Sequence, residues 1–214
     1  VSQLVRRGFS GLLSIGILAG CGGGGSATLP VASSSIDRPS GYVLTWSDEF
    51  DQGSVLNSDW KYDLGEANFG GSNWGNAELQ YYTSDSANVR LEDGHLAIQA
   101  VAGKPAGVNL QFGNILATSA RVTTDTPIFY SALGNQPYGY YEIKAQIPCV
   151  GGAWPAIWMM GKTGNWPDRG ELDIMEWFGR YFAAQPDQVQ SGVHTRAGFG
   201  GDSTYQKLQL PGLC

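Results

Sequence analysis

The chain runs to 214 residues with a formal net charge of −6, 42% hydrophobic residues, only 15% charged residues and 31 glycines. That length suits one domain with extensions, and the apolar share allows a sizeable core. The low charged share, set against roughly 25% in ordinary soluble domains, fits a secreted, turn-rich β protein. With no Lys/Arg cluster beyond Arg6-Arg7, it argues against a nucleic-acid partner.

The first stretch, "LVRRGFSGLLSIGILAGC", has two arginines, an apolar run and small residues before Cys21. That is a secretory signal layout. The run from Phe9 to Ala19 is too short for a bilayer span, which needs about 20 residues. "LAGC" resembles a bacterial lipobox, so residues 1–20 read as a lipoprotein signal peptide and Cys21 as the lipidated residue. Gly22 after that cysteine resembles lipoproteins sorted to an outer membrane. The alternative is an ordinary signal peptide and a secreted product. Residues 21–40, with "GGGGS" and "SATLPVASSS", read as a flexible tether. The membrane would then be reached through the lipid, at the cell envelope, with residues 41–214 as the folded domain. Cys149 and Cys214 remain, either as a disulfide or as two unpaired thiols.

From Gly41 onward the signals are β. "YVLTWSDEF" (42–50) alternates loosely. "NVRLEDGHLAIQA" (88–100) reads as a hairpin turning at Asp93-Gly94, with His95 exposed beside the turn. "ILATSARVTT" (115–124) and "YGYYEIKAQI" (138–147) alternate as strands, the second with Tyr138, Tyr140, Glu142, Lys144 and Gln146 on one face. "AWPAIWMMG" (153–161), "GELDIMEWF" (170–178) and "VQSGVHTR" (189–196) complete the set. No helical period is sustained and no phosphate-binding glycine motif occurs. Many short strands with Gly-rich turns predict an all-β sandwich or jelly roll.

"GELDIMEWFG" places Glu171, Asp173 and Glu176 among apolar neighbours. Residues two apart on a strand share a face, so Glu171 and Asp173 point together while Glu176 is out of phase by one. A β-bulge around Ile174-Met175 restores it to that face. Three close carboxylates cannot all ionise cheaply, so one keeps its proton near neutral pH. A protonated acid beside an ionised carboxylate is the equipment of glycoside hydrolysis, and a retaining reaction needs the two about 5–5.5 Å apart. The competing reading is a solvent-facing acidic edge.

These residues resemble the Glu-x-Asp-x-x-Glu signature of glycoside hydrolase family 16 in its bulged, laminarinase-like form. "WSDEFD" (46–51), "GNAELQYYT" (75–83) and "GGAWPAIWMMG" (151–161) resemble the same branch, in the same order. The resemblance implies a jelly-roll β-sandwich of two curved antiparallel sheets with a concave substrate cleft. It implies Glu171 as nucleophile, Glu176 as acid/base and Asp173 tuning both. It places Trp154, Trp158 and Trp177 along the cleft, and Trp74 and Asn76 where sugars bind on the non-reducing side. His194 falls where a cleft histidine is common. Trp46 and Trp60 read as core.

The resemblance implies no cofactor for catalysis, and a structural calcium with Glu49 and the backbone of Gly94 among its ligands. The substrate it implies is β-1,3- or mixed β-1,3/1,4-glucan, cut by a monomeric endo-glucanase. A galactan hydrolase of the same family and a non-catalytic glucan-binding lipoprotein are the alternatives. Family domains continue with further strands beyond the point reached at "LQLPGLC", so the domain reads as C-terminally truncated.

Overall fold

The computed structural model describes residues 39–53, 56–126, 139–181 and 184–214. The signal segment, Cys21 and nearly all of the tether lie outside the described residues, as does Tyr138. The first nine strands are β1 (Lys61–Asp63), β2 (Asn68–Phe69), β3 (Ser72–Asn73), β4 (Gln80–Tyr82), β5 (Val89–Glu92), β6 (His95–Ile98), β7 (Val101–Ala102), β8 (Ala117–Ser119) and β9 (Arg121–Thr123). Then come β10 (Ala156–Met160), β11 (Glu171–Glu176), β12 (Gln188–His194) and β13 (Thr204–Gln209). The only helical pieces among the described residues are two 3₁₀ turns, Gly179–Tyr181 and Gly200–Asp202. The architecture is all-β, as the strand spacing predicts.

The hairpin at Asp93-Gly94 forms as read. Val89 pairs with Ile98 and Glu92 with His95. Asp93 and Gly94 take φ of 50° and 72°, the two left-handed residues of a type I′ turn, whose twist matches its strands. His95 differs from expectation. It is half-buried, with Nε2 enclosed and unpartnered among the described residues. The stretch 115–124 divides into β8 and β9 at the fully buried Ala120.

Two predicted strands form no ladder among the described residues. In residues 42–50, Asp48 captures the Phe50 N–H at 2.9 Å, and Phe50 has φ of 56°, which ends any extended run. Residues 139–147 alternate in sequence but join no sheet among the described residues, and Tyr140, Tyr141 and Ile143 stay exposed. Alternation supplies a face, but a strand also needs a neighbour for its N–H and C=O groups. Conversely, β13 forms with every residue exposed, held at the sheet edge by its ladder with β12.

The largest sheet has the order β10–β11–β12–β13, all antiparallel. Smaller sheets pair β1 with β9, β2 with β3 and β5 with β6, and β8 lies between β4 and β7. One core cluster gathers Phe50, Val89, Leu96, Ile98 and Ala120, with Trp60 packed against it. Trp46 meets Trp60 edge-on at 5.9 Å, so both sit in the structural role read for them. A second cluster, Ile147, Trp177 and Val189, lies under the large sheet with Cys149, Met175 and Leu213 against it.

A disulfide between Cys149 and Cys214, 65 residues apart, closes the second cluster and settles the choice left open by the sequence. By loop-closure entropy such a link stabilises by about 4 kcal/mol. Cys149→Ser is therefore expected to lower Tm by on the order of 10 °C, and reductant should bring wild type down to the same value. Thermal unfolding with and without dithiothreitol checks both.

Candidate active site

The acid row exists because β11 carries one residue more than its neighbours. Asp173 pairs with Gly192 and Glu176 with Gln190, so three steps on β11 face two on β12. On the other side Trp158 pairs with Asp173 and Ile157 with Met175, again one residue short. Ile174 is the residue without a partner in either ladder. The bulge falls within the predicted Ile174-Met175 step. Opposed residues in an antiparallel pair share a face. Three rows therefore cross the sheet on one side: Glu171 with His194; Asp173 with Gly192 and Tyr205; Glu176 with Gln190 and Lys207.

Each acid has its own partners. Trp166 Nε1–H donates to Glu171 Oε2 at 2.6 Å. Trp154 Nε1–H donates to Glu176 Oε1 at 3.0 Å, and Gln190 Nε2–H reaches Oε2 at 3.4 Å. His194 Nε2 lies 3.0 Å from Asp173 Oδ2. The Gly200 N–H donates to His194 Nδ1 at 3.1 Å. That bond occupies the Nδ1 lone pair, so the ring proton sits on Nε2 and is donated to Asp173.

Asp173 is only 3% exposed and Glu176 8%. Burial, then the charges of Glu171 and Glu176, push the Asp173 carboxyl up to about 8. Burial also raises Glu176, against the stabilising bond from Trp154. The row thus holds a proton at neutral pH, as its crowding predicts, and most strongly on the central Asp173.

The aromatic residues divide. Trp158, on β10, pairs with Asp173 and so shares the face of the row. Trp154 reaches it from the loop before β10, so strand alternation does not govern it. Trp74 joins them through Arg121, whose guanidinium stands 4.4 Å from the Trp74 ring and 4.7 Å from the Trp158 ring. Asp63 holds that guanidinium at 3.0 Å. Asn76 is exposed and its side-chain N–H donates to the Trp74 carbonyl and to Glu78. Trp177 corrects the prediction. It is 1% exposed, with Nε1–H on the Pro186 carbonyl at 2.9 Å, and fills the second core cluster rather than the cleft. The strand alternates, so the residue after Glu176 faces inward.

Four site residues escape sequence reasoning. Trp166 and Arg121 lie in stretches whose pattern gives no hint of their targets. Gln190 is one polar residue among several. Gly192 carried a usable signal, since glycine inside a strand marks close approach. A Cβ there would stand 3.3 Å from Asp173 Oδ2, so the missing side chain makes room for the carboxylate.

The calcium expected at Glu49 and the Gly94 backbone finds no cluster of acidic side chains around Glu49 among the described residues. Calcium takes 6–8 oxygens. Glu49 belongs to no group of three close carboxylate, histidine or cysteine ligands among the described residues. The neighbouring Asp48 is already committed to Phe50, Asn57 and Trp60. Glu171, Asp173 and His194 do bring ligand atoms within 4.8 Å of one another, but the His194–Asp173 hydrogen bond uses two of those atoms.

The chain is similar to enzymes of known activity. It is 37% identical over 174 residues to the β-glucanase of Rhodothermus marinus, a match covering 78% of this chain and 53% of that protein. It is 37% identical over 160 residues to the glucan endo-1,3-β-glucosidase of Cryptopygus antarcticus, covering 72% and 51%. The chain thus spans about half the length of the curated relatives it matches. The solved laminarinase catalytic domain of Thermotoga maritima superposes with a TM-score of 0.60 at 34% identity, covering 79% of this chain and 63% of that one. These bear out the all-β jelly-roll class. Residues 143–210, which include the whole acid row, match the model described as "XgeA-like, catalytic GH16 domain".

Proposed function

We propose that this chain is catalytic sequence of a retaining endo-β-glucanase that hydrolyses β-1,3- or mixed β-1,3/1,4-glucans by double displacement. One observation carries the reading. The Ile174 bulge sets Glu171, Asp173 and Glu176 on one face with a different hydrogen-bond partner for each. The glucanase names of its relatives support the substrate class.

In this reading the Glu171 carboxylate, oriented by Trp166, attacks the anomeric carbon. The bond to the glycosidic oxygen breaks as Glu176 passes its proton to that oxygen. Water then attacks the glycosyl–Glu171 ester, Glu176 takes the water proton, and the ester bond breaks to restore both acids. Asp173, holding its own proton, lies between the two and lets Glu171 alone carry the charge at the moment of attack. Trp154 and Trp158 offer faces for the apolar sides of sugar rings. The lipid anchor at Cys21, and with it an envelope location, belongs to the proposal on sequence grounds alone.

Reducing-sugar release from laminarin, lichenan and agarose tests the substrate, and proton NMR of the first product tests the stereochemistry. Cleavage of a β-glucan with the β-anomer appearing first is expected. The α-anomer first would overturn retention, and cleavage of agarose alone would overturn the glucan assignment.

A further inference from the structure

A second chemical feature lies beside the acids on the same face. Trp154, whose N–H holds Glu176, packs on Phe178 with ring centroids 5.2 Å apart, and Phe178 meets Tyr181 edge-on at 6.0 Å. Two cations converge on this strip. The Arg180 guanidinium stands 4.8 Å from the Tyr181 ring and 5.2 Å from Phe178. Lys207 Nζ stands 5.6 Å from the same Tyr181 ring. Lys207 belongs to the Glu176–Gln190 row, two strands from Glu176. At about 4.8 Å per strand spacing, that is on the order of 10 Å across the sheet.

Neither cation has a carboxylate. Lys61, Arg90, Arg121, Lys162 and Arg196 pair with acids; Arg180 and Lys207, like Lys104, Lys144 and Arg169, make no ion pair among the described residues, but only these two meet on one aromatic ring. Both are exposed. Two like charges thus share one aromatic ring in a chain with 19 Asp and Glu against 13 Lys and Arg. A ring face tolerates one cation well, but a second beside it is repelled unless an anion joins them. A neutral sugar could accept hydrogen bonds from either side chain but would leave that repulsion in place. An anionic substituent would bridge both with charge-assisted bonds while its sugar ring lay on Trp154 and Phe178.

We propose that Arg180, in the turn after β11, and Lys207, on β13, form an anion-accepting subsite, which takes a carboxylate or sulfate ester carried by a sugar unit of the polysaccharide. The proposal rests on the glycosidase reading for the polymer but not for the charge. Lys207 lies on the flank of the acid row opposite Trp158, and Arg180 sits in the turn that follows Glu176.

The test compares wild type with the Arg180→Gln/Lys207→Gln double variant on laminarin, carboxymethyl curdlan and sulfated curdlan, at low and high salt. Wild type is expected to prefer at least one charged polymer over laminarin by about tenfold in kcat/KM at low salt. That preference should shrink severalfold near 0.5 M salt, because exposed charges are screened. The double variant should bring the charged-to-neutral ratio near one. Response to sulfate alone, or to carboxylate alone, assigns the substituent. A ratio that the variant leaves unchanged, or a wild-type ratio near one at low salt, overturns the proposal.

Electrophoretic retardation of Glu171→Gln protein in gels containing each polymer measures binding without turnover. If wild type cut no glucan, the glucanase reading would fail. Retardation by charged polymer that disappears in Glu171→Gln/Arg180→Gln/Lys207→Gln would still uphold the subsite, and equal retardation of the two proteins would sink it.

Discussion

Glu171→Gln is expected to lower kcat on a β-glucan by on the order of 10⁴-fold or more, the scale of removing a covalent nucleophile. The amide is nearly isosteric and its oxygen can still accept the Trp166 N–H, so position is kept while charge and nucleophilicity are lost. Glu176→Gln should cost about 10²–10⁴-fold, the range for losing general acid–base help. Its loss should shrink on an aryl glycoside, whose leaving group needs no proton, and Glu176→Ala should form a glycosyl azide when azide is supplied. Both variants should keep polymer binding and a Tm close to wild type. Turnover within tenfold of wild type in Glu171→Gln would remove the acid row from the reaction.

Much of this site is legible in the sequence because its chemistry is local. Six residues hold the three acids, and the period of a strand alone requires a bulge to align them. The hairpin at Asp93-Gly94 is equally local, since two left-handed residues choose the turn. What sequence reasoning misses depends on distant partners. Trp166 reaches Glu171 from a loop, Arg121 gathers Trp74 from the turn after β3 and Trp158 from β10, and Gly200 fixes the tautomer of His194 from beyond its strand. The stretch 139–147 is the opposite failure. Its alternation is clear, yet a ladder depends on an available edge, which no local pattern specifies. Trp177 shows that a motif-adjacent aromatic takes its role from the face it is dealt. One position past Glu176, that face is the core.

Raising the pH should weaken both activity and stability through the same proton. Burial and its two acidic neighbours hold the Asp173 carboxyl up to about 8, against an ordinary value of 3.8. Between those values the folded chain keeps a proton that the unfolded chain has released. Stability from this group is therefore fully present below about 4 and is lost as pH rises through about 8, by at most about 1.4 kcal/mol per pH unit. Glu176 is raised too and adds to the slope in the same direction.

Urea unfolding at several pH values should show this fall in wild type and a shallower one in Asp173→Asn, whose amide cannot ionise. Activity should follow, because an ionised Asp173 places a second charge beside Glu171 and makes Glu176 hold more tightly the proton it must donate. The alkaline limb of kcat/KM is expected near pH 8 in wild type, with Asp173→Asn lower throughout and its limb displaced. His194 Nε2–H donates to the same carboxylate, so His194→Gln, which can supply one N–H there, should preserve more activity than His194→Ala. An alkaline limb identical in wild type and Asp173→Asn would assign that proton elsewhere in the row, with Glu176 as the group that must then carry it.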